Sequence, residues 1–233
     1  MHPDTIGKGA LAWPAFTRLK GKRVVLASAS PRRVEILASA DIHPEVVPST
    51  FNEDLTKDDF VGEMVYEYPV ETASRKALDV YKRLVATDTA DPPDLVIGAD
   101  TVVLHGEEIL EKPLDPTDNL RMLADLNGTK CTVMTAVALV HPILHSPGYQ
   151  IRTLCERTGV YFADLSGELL RDYVQCGEGS GRAGGFAIQG RGALLIRGIE
   201  GDYNNVVGFP LFSFVHLVEQ LVEDEELDFE GGP

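Results

Sequence analysis

The sequence lacks the features that most often assign a function at once. No apolar run approaches the ~20 residues that cross a bilayer, and the first 16 residues hold no basic region followed by an apolar stretch. We therefore expect no membrane span, signal peptide or transit peptide. P-loop, GxGxxG, GxSxG and HExxH motifs are also missing, which excludes the commonest nucleotide, hydrolase and zinc signatures.

Cysteine is scarce. Cys131, Cys155 and Cys176 lie far apart without CxxC spacing, which predicts reduced thiols in a cytoplasmic protein and argues against a disulfide framework or structural zinc. His141 and His145 are four apart, but the prolines around them oppose a helical metal pair.

Positive charge is also in short supply. The net charge is −15, and six carboxylates fall within residues 223–230, so the rest of the chain carries −9. This balance argues against a surface that coats nucleic acid. It still allows a small anionic ligand wherever folding gathers the few cations, because a cleft can carry a field opposite to that of the whole molecule.

The organisation along the chain predicts one main domain. Residues 1–20 show no sustained period and are interpreted as an extension, residues 21–222 as the domain, and residues 223–233 as an acidic, disordered tail. Strand and helix patterns mix without strict alternation, which predicts a mixed α/β or α+β sheet. The predicted elements are a strand at 23–28, a helix capped by Ser30, a possible strand at 45–48, a helix at 71–85, strand-turn-strand at 94–104, a helix capped by Asp115, a hairpin of 130–140 with 150–163, a helix from Ser166, close-packed strands and turns over 177–209, and a last helix at 212–222.

Two adjacent arginines open the first of these helices, in "LASASPRRVEIL". Arg32 and Arg33 oppose the helix dipole there, where a purely structural helix would carry Asp or Glu. An anion held between the backbone amides and the guanidinium groups would resolve the conflict. Two exposed arginines after a cap are an equally good interpretation of this stretch taken alone.

Two carboxylates have the placement of a metal ligand or a base. Asp100 follows an apolar strand and the small pair Gly98-Ala99, where it can bind a metal, accept a proton or simply serve a turn. Glu53 in "FNEDL" is a possible second carboxylate, or a loop acid.

Three further side chains lie where they can reach a ligand. Lys76 stands beside an apolar helix stripe, and Lys112 precedes a proline that keeps its backbone extended. The alternative for both is an ordinary surface lysine. Gln189 lies among glycines and offers a donor and an acceptor to a base edge, although an exposed glutamine at a bulge is the simpler interpretation.

Together and in order, these motifs resemble the Maf family of nucleoside triphosphate pyrophosphatases. The matching pieces are "LASASPRR", "NED", "ASRKA", "IGADTVV", "EKP", "LNGTKCTVMTAVAL", "RAGGFAIQGRGA" and "GDYNNVVGFPL", which cover roughly residues 22–222. The resemblance implies a fold like that of the inosine triphosphatases, with an elongated mixed sheet and two lobes around a deep cleft, paired as a homodimer. It also implies hydrolysis between the α and β phosphates with a divalent cation, Mg²⁺ or Mn²⁺.

The resemblance further implies roles for single residues. Asp100 matches the family's proton acceptor, and the phosphate- and metal-handling positions are matched by Ser28, Arg32, Glu53, Lys76 and Lys112. Arg33 joins the substrate-binding set, and Asp100 joins Glu53 as a metal ligand. Asn52 stands where an acid is common in the family.

Three positions separate the family's branches by substrate. Arg32, Thr101 and Gln189 are similar to the branch that acts on dTTP and UTP, with modified pyrimidine analogues as further candidates. The alternatives are a non-catalytic nucleotide-binding regulator of cell division and a sibling enzyme for a modified purine nucleotide such as 7-methyl-GTP.

Overall fold

The computed structural model describes residues 4–53 and 55–224. The predicted acidic tail lies outside these ranges except for its first two residues. Within them, a seven-stranded sheet is built from β1 (Val24–Leu26), β2 (Glu45–Val46), β3 (Leu95–His105), β4 (Glu108–Leu110), β5 (Lys130–Pro142), β6 (Tyr149–Phe162) and β7 (Ile196–Glu200).

The sheet is mixed, which confirms the predicted fold class. Its order is β2-β1-β3-β5-β6-β7, with β4 paired to β3. Strand β1 is parallel to β2 and β3, whereas the other pairs are antiparallel. The predicted hairpin is confirmed, since β5 pairs with β6 from Lys130–Tyr161 to Pro142–Tyr149.

Helices cover both faces of the sheet, and five of them correspond to predicted helices. The segment 177–209, predicted as close-packed strands and turns, holds one strand together with two 3₁₀ turns and a short helix, so that prediction is only partly right. The helices are α1 (Pro14–Leu19), α2 (Pro31–Ser39), α3 (Glu67–Thr87), α4 (Pro116–Leu126), α5 (Gly167–Gln175), α6 (Tyr203–Val207) and α7 (Leu211–Glu223), joined by 3₁₀ turns at Lys57–Asp59, Gly62–Tyr66, Ala183–Gly185 and Gly190–Leu194. Two predicted caps are confirmed. Asp115 accepts from the amides of Thr117 and Asp118, and Ser166 accepts from Leu169, in each case satisfying amides that the helix start leaves free.

The predicted turn at Gly98-Ala99 is wrong. Strand β3 runs without interruption from Leu95 to His105, so Asp100 lies inside a strand rather than after one. The small residues instead allow α3 to pack closely against β3. A Cβ built on Gly98 would lie 2.3 Å from the carbonyl oxygen of Ala73 and 2.8 Å from the Cβ of Ala77, both on α3. Glycine and alanine together let α3 contact the middle of the sheet.

The sheet has a gap on one edge of β3. Strand β1 pairs with β3 only as far as Ile97, and β4 joins only at Val103. Between these points β3 is paired on its other side with β5. No further strand among the described residues fills the gap, so side chains near Asp100 can face a ligand there. The gap begins where β1 ends, the position at which open α/β sheets place their ligands.

Part of the predicted N-terminal extension is helical, which corrects the expectation that residues 1–20 hold no regular element. Helix α1 buries Ala15, Phe16 and Leu19 in the same apolar cluster as Phe214 and Val218 of α7. Upstream of it, Ile6 forms a β-bridge with Ile42. The helix is only 6 residues long, which is too short for a periodicity to be read from the sequence.

Among the described residues, no helix combines the length and the apolar character needed to cross a membrane.

We predict that Gly98→Ala destabilises the fold because the added methyl group meets the backbone of α3. Overpacking of this kind costs on the order of 1–3 kcal/mol. The free energy of unfolding, measured by urea titration, should fall by about this amount.

Gly198→Ala is the matched control. Gly198 also lies in a strand, but a Cβ there meets no atom within 4 Å, so we expect a change of less than about 0.5 kcal/mol. Equal effects of the two substitutions would contradict the close approach of α3.

Candidate active site

A cavity of about 370 Å³ lies at the gap in the sheet. A neighbouring cavity of about 250 Å³ shares Glu53, Asp100, Thr101 and Lys112 with it. The larger cavity has the size of a small-molecule site. The predicted site residues that line it are Ser28, Arg32, Arg33, Glu53, Lys76, Asp100, Thr101, Lys112 and Gln189, so the fold brings the whole predicted set to one place.

An ion-pair triad forms the floor of the cavity. The Nζ of Lys76 lies 2.8 Å from Asp100 Oδ1 and 3.0 Å from Glu53 Oε2. Side chains alternate along a strand, so Asp100 shares the face of Gly98, where α3 makes its closest approach. Lys76 lies on α3 between Ala73 and Ala77, and the tight packing of that helix brings its ammonium group to the strand.

The two carboxylates have pKa values shifted in opposite directions. Burial raises the pKa of Asp100, with Lys76 and Arg33 opposing the shift. Burial also acts upward on Glu53, but Lys76, Lys112 and Arg33 outweigh it and hold its pKa below the usual range. A pair of acids shifted apart in this way is typical of sites where one carboxylate accepts a proton and the other stays ionised.

Asp100 keeps one oxygen for a ligand. The residue is 7% exposed, and its Oδ1 accepts from Lys76. Within residues 4–53 and 55–224, no protein group hydrogen-bonds its Oδ2. A water or a substrate group in the cavity can therefore bind this oxygen.

Arg33 is held by neutral acceptors rather than by an acid. Its guanidinium group donates from Nε to Gly208 O at 3.0 Å, from Nη1 to Ser28 Oγ at 2.9 Å and from Nη2 to Thr101 Oγ1 at 3.1 Å. Burial lowers its pKa, although an arginine stays charged. Arg33 thus ties α2 to β3 and places a fixed positive charge behind the carboxylates.

The Thr101 hydroxyl continues this contact across the sheet. It lies 3.0 Å from Thr135 Oγ1, which in turn lies 3.0 Å from the carbonyl oxygen of Asn205. Asn205 is fully buried and donates to Val133 O and Thr158 Oγ1. This chain of hydrogen bonds fixes the position at which Arg33 enters the cavity.

The start of α2 is open to the cavity. Ser30 occupies the predicted cap position, but its side chain makes no capping bond, so the prediction of a serine cap is wrong in its chemistry. The first turn holds no acid. Backbone amides at this end keep unsatisfied donors and a positive potential, beside Arg32 and Arg33.

The cavity is electropositive inside an acidic molecule. Among its described lining residues are five cations and two carboxylates, a net formal charge of +3, in a chain of net charge −15. Arg32 and Lys112 make no ion pair with the described residues, and neither does Arg182. This arrangement suits an anion with several negative charges.

The segment that carries Gln189 is tied down on both sides. The amide of Ala187 donates to Tyr173 Oη at 3.0 Å, and Glu178 accepts from the amides of Arg191 and Gly192 at 3.0 and 2.6 Å. The side-chain amide of Gln189 itself makes no hydrogen bond to the described residues, so its donor and acceptor remain for a ligand.

Sequence reasoning missed two residues of the site. Arg182 lines the larger cavity and Glu111 the smaller one. Both stand inside quoted motifs, Arg182 at the start of "RAGGFAIQ" and Glu111 in "EKP". The available signal was a charged residue two positions before a glycine pair or a proline. Glu111 is already engaged, since Lys57 Nζ lies 2.7 Å away and Tyr68 Oη donates to it at 2.8 Å.

Comparison with known proteins gives a consistent family. The profile of the family described as "Maf-like protein" matches residues 23–221. A fission yeast protein, Schizosaccharomyces pombe "dTTP/UTP pyrophosphatase", is 43% identical over 91% of this chain and 88% of its own length. The "dTTP/UTP pyrophosphatase" of Clostridium perfringens is 38% identical over 84% of this chain and 96% of its own.

A human relative is longer. The protein named "Probable bifunctional dTTP/UTP pyrophosphatase/methyltransferase protein" is 49% identical over 90% of this chain. The chain spans only 33% of that protein's length, so the likeness concerns one part of the human protein.

We predict that Asp100→Asn stabilises the chain at neutral pH. Because the pKa of Asp100 is raised in the folded state, its contribution to stability is fully present below the ordinary value of 3.8 and is lost as pH rises through the raised pKa. The variant should therefore have the larger free energy of unfolding at pH 7.5, and the difference should shrink toward pH 4. Urea titrations at the two pH values measure it.

Asp118→Asn is the control with the opposite sign. Its carboxylate accepts from Leu114 N, and its pKa is lowered first by that bond and further by Arg121, so its stabilisation is present at neutral pH and lost in acid. An Asp100→Asn variant less stable than the parent at pH 7.5 would show that the Lys76 ion pair outweighs burial.

Proposed function

The chain belongs to the family of Maf-like proteins, and we propose that it is a nucleoside triphosphate pyrophosphatase acting on dTTP and UTP. The products are the nucleoside monophosphate and pyrophosphate. The observation that carries the proposal is the cavity of net charge +3 that holds Asp100 beside Lys76, with one Asp100 carboxylate oxygen not bonded by any described residue. The two relatives matched over most of their own length, named dTTP/UTP pyrophosphatases, support the substrate class.

Electrostatic repulsion between the substrate and the attacking nucleophile is the main obstacle to the reaction. A triphosphate carries close to four negative charges at neutral pH, which repel an attacking hydroxide. Arg32 and Lys112, which have no protein partner among the described residues, bind phosphate oxygens as charge-assisted hydrogen bonds. The open amides at the start of α2 bind further oxygens. The chain in this way neutralises the substrate and fixes the α-phosphorus relative to Asp100.

A divalent cation fits the carboxylates of the site. No cluster of three or more His, Cys, Asp or Glu suited to a metal occurs within residues 4–53 and 55–224. Mg²⁺, however, is commonly bound by one or two carboxylates together with substrate phosphates, and Glu53 and Asp100 are two carboxylates on one cavity wall. Such an ion, when bound, neutralises phosphate charge and lowers the pKa of a bound water.

Asp100 is the general base. Its free Oδ2 takes a proton from the attacking water while the water oxygen forms a bond to the α-phosphorus. The bond from that phosphorus to the bridging oxygen breaks, and pyrophosphate leaves with its electron pair. The raised pKa of Asp100 makes the carboxylate a stronger base, and Lys76 holds it in place.

Base recognition falls to Gln189. Its amide offers a donor and an acceptor to the O4 and N3–H edge that thymine and uracil share. Thr101 acts through Arg33, because its hydroxyl accepts from that guanidinium group. Cytosine presents the reversed pattern and leaves buried polar groups unpaired, which costs about 1–3 kcal/mol. The ties at Ala187 and Gly192 limit how far the segment can adapt.

The proposal also includes the cellular compartment and the oligomeric state of the enzyme. The three cysteines are free, and burial raises the pKa of Cys131 and Cys155 to about 12 and about 11, so neither is a reactive thiolate. We place the reaction in the cytoplasm on this basis. A homodimer, as the resemblance implies, is part of the proposal.

We predict that the chain with Mg²⁺ and UTP releases UMP and pyrophosphate in equal amounts, and that Asp100→Asn lowers kcat by about 10²–10⁴-fold, the usual contribution of a general base. Chromatography of the nucleotides with a coupled pyrophosphate assay measures both. The control is UTP affinity in EDTA, which should be unchanged or tighter in the variant.

Different products would correct the proposal. UDP and phosphate would place cleavage at the β-γ bond, and binding without turnover would favour the non-catalytic regulator. An Asp100→Asn variant with near-parental kcat would remove Asp100 as the base.

We predict that kcat/KM is higher for UTP and dTTP than for CTP and GTP. In Gln189→Ala, the ratio of kcat/KM for UTP to kcat/KM for CTP should be smaller than in the parent. The variant loses the side chain that separates the two pyrimidine edges, so the ratio should fall by about 5–160-fold, the equivalent of about 1–3 kcal/mol for the unpaired polar groups. Gln175→Ala, an exposed glutamine on α5 outside the cavity, is the control and should keep the parental ratio. A parental enzyme that prefers GTP or 7-methyl-GTP would instead belong to the purine branch.

A further inference from the structure

Arg182 is a cation of the cavity to which neither the sequence motifs nor the proposed mechanism gives a role. It precedes the 3₁₀ turn Ala183–Gly185 and lines the same cavity as Arg32 and Lys112. Its side chain is half-buried and makes no hydrogen bond or ion pair with the residues that the structure describes. A guanidinium group has five donors, so a large hydrogen-bonding capacity is left for a ligand.

The fold holds Arg182 firmly in this position. The amide of Gly184 donates to Glu111 O at 3.0 Å, and the buried Asn119 donates from Nδ2 to Gly185 O at 2.8 Å. A Cβ on Gly185 would lie 2.0 Å from Asn119 Nδ2, so the turn is tightly packed against α4. The backbone that carries Arg182 is thereby bonded to the backbone next to Lys112.

The charges around Arg182 point to an anion. Arg182 and Arg32 come from segments 150 positions apart in the sequence. Burial lowers the pKa of the Arg32 guanidinium group, and Arg182 lies close enough to lower it further. No carboxylate pairs with either one among the described residues. Glu35 favours the charged form of Arg32, but by less than Arg182 disfavours it, and Arg182 also acts on Glu178. The repulsion between the two arginines is therefore only partly offset in the free protein, and an anion bound between them would reverse the sign of the interaction.

The position of Arg182 favours the outer phosphates over the base. Lys112 is near enough to Glu53 to lower its pKa, so the Lys112 end of the cavity is the end where the carboxylates act. The Gly184–Glu111 bond places the Arg182 segment at that same end. Between Arg182 and Gln189 the lining is apolar, with Phe186 and Ile188, which suits the nucleoside rather than the phosphates.

We propose that Arg182 binds the β- and γ-phosphates of the substrate, and hence the pyrophosphate product, together with Lys112. The inference rests on the proposed pyrophosphatase function and deepens it. Arg182 contacts the leaving group in this assignment, so it neutralises charge that develops as the bond to the α-phosphorus breaks.

The experiment compares the affinities of the two products. Isothermal titration with inorganic pyrophosphate and Mg²⁺, and separately with UMP, gives both dissociation constants for the parent and for Arg182→Ala. We expect pyrophosphate to bind at least tenfold more weakly to the variant, in line with the loss of a charge-assisted contact, and UMP to bind within twofold of the parent. Arg182→Lys should recover part of the pyrophosphate affinity because it keeps the charge without the planar fork.

Arg191→Ala is the matched control. Arg191 lies on the same segment, is exposed and does not line the cavity, so its loss should leave both affinities unchanged. Thermal unfolding of each variant establishes that the fold is retained, and Arg182→Lys provides the comparison if the alanine variant does not fold.

Two results would overturn the inference while leaving the proposed function intact. One is a parental pyrophosphate affinity in Arg182→Ala, and the other is an equal loss of UMP and pyrophosphate affinity, which would place Arg182 at the α-phosphate or the nucleoside. A parent chain that neither binds pyrophosphate nor cleaves UTP would instead refute the proposed function itself.

Discussion

The ion pair between Lys76 and Asp100 is the contact on which the site depends. It joins α3 to the middle of β3 at 2.8 Å, and the same ammonium group lies 3.0 Å from Glu53. Without the ammonium group, two carboxylates would face each other in a half-buried cavity, and the ionisation of one would oppose that of the other. The pair is possible only because α3 packs unusually close to the sheet, where Gly98 meets Ala73 and Ala77. A packing constraint between small residues thus sets the chemistry of a neighbouring acid.

The gap in the sheet gives this pair access to a ligand. Strand β1 leaves β3 at Ile97 and β4 joins at Val103, so the edge of β3 at Asp100 faces a cavity rather than another strand. The chain ends of several elements meet there: the start of α2, the 3₁₀ turn Ala183–Gly185 and the Gln189 segment. The 3₁₀ turn is fixed by Asn119, and the Gln189 segment by Tyr173 and Glu178, none of which lines the larger cavity. The side chains of Arg182 and Gln189 are therefore left for substrate on a preorganised backbone.

The cost of this arrangement falls on stability. The cavity gathers an excess of positive charge and places a carboxylate where burial opposes ionisation. Both terms are unfavourable in the free protein and are relieved when a charged substrate is bound, a trade between stability and activity that is common in enzymes. The acidic exterior acts in the same direction, because it directs the attraction for polyphosphate to this cavity, where the described lining holds more cations than acids.

Local features of the sequence determined much of this protein. The caps at Asp115 and Ser166, the β5–β6 hairpin and the mixed sheet follow from short-range chemistry and periodicity, and the ordered motifs are sufficient to indicate the family. Tertiary structure alone decided the rest. Gly98-Ala99 resembles a turn in sequence but lies inside a strand. The small side chains are required by the close packing of α3, some twenty residues away in sequence, and not by a local turn. Helix α1 is too short to show a helical period. Arg182 can be recognised as a candidate ligand-binding residue only from its position beside Arg32 and Lys112 in the folded chain. Such features depend on contacts between distant segments, and the energy of a long-range contact is not encoded in the local pattern of either partner.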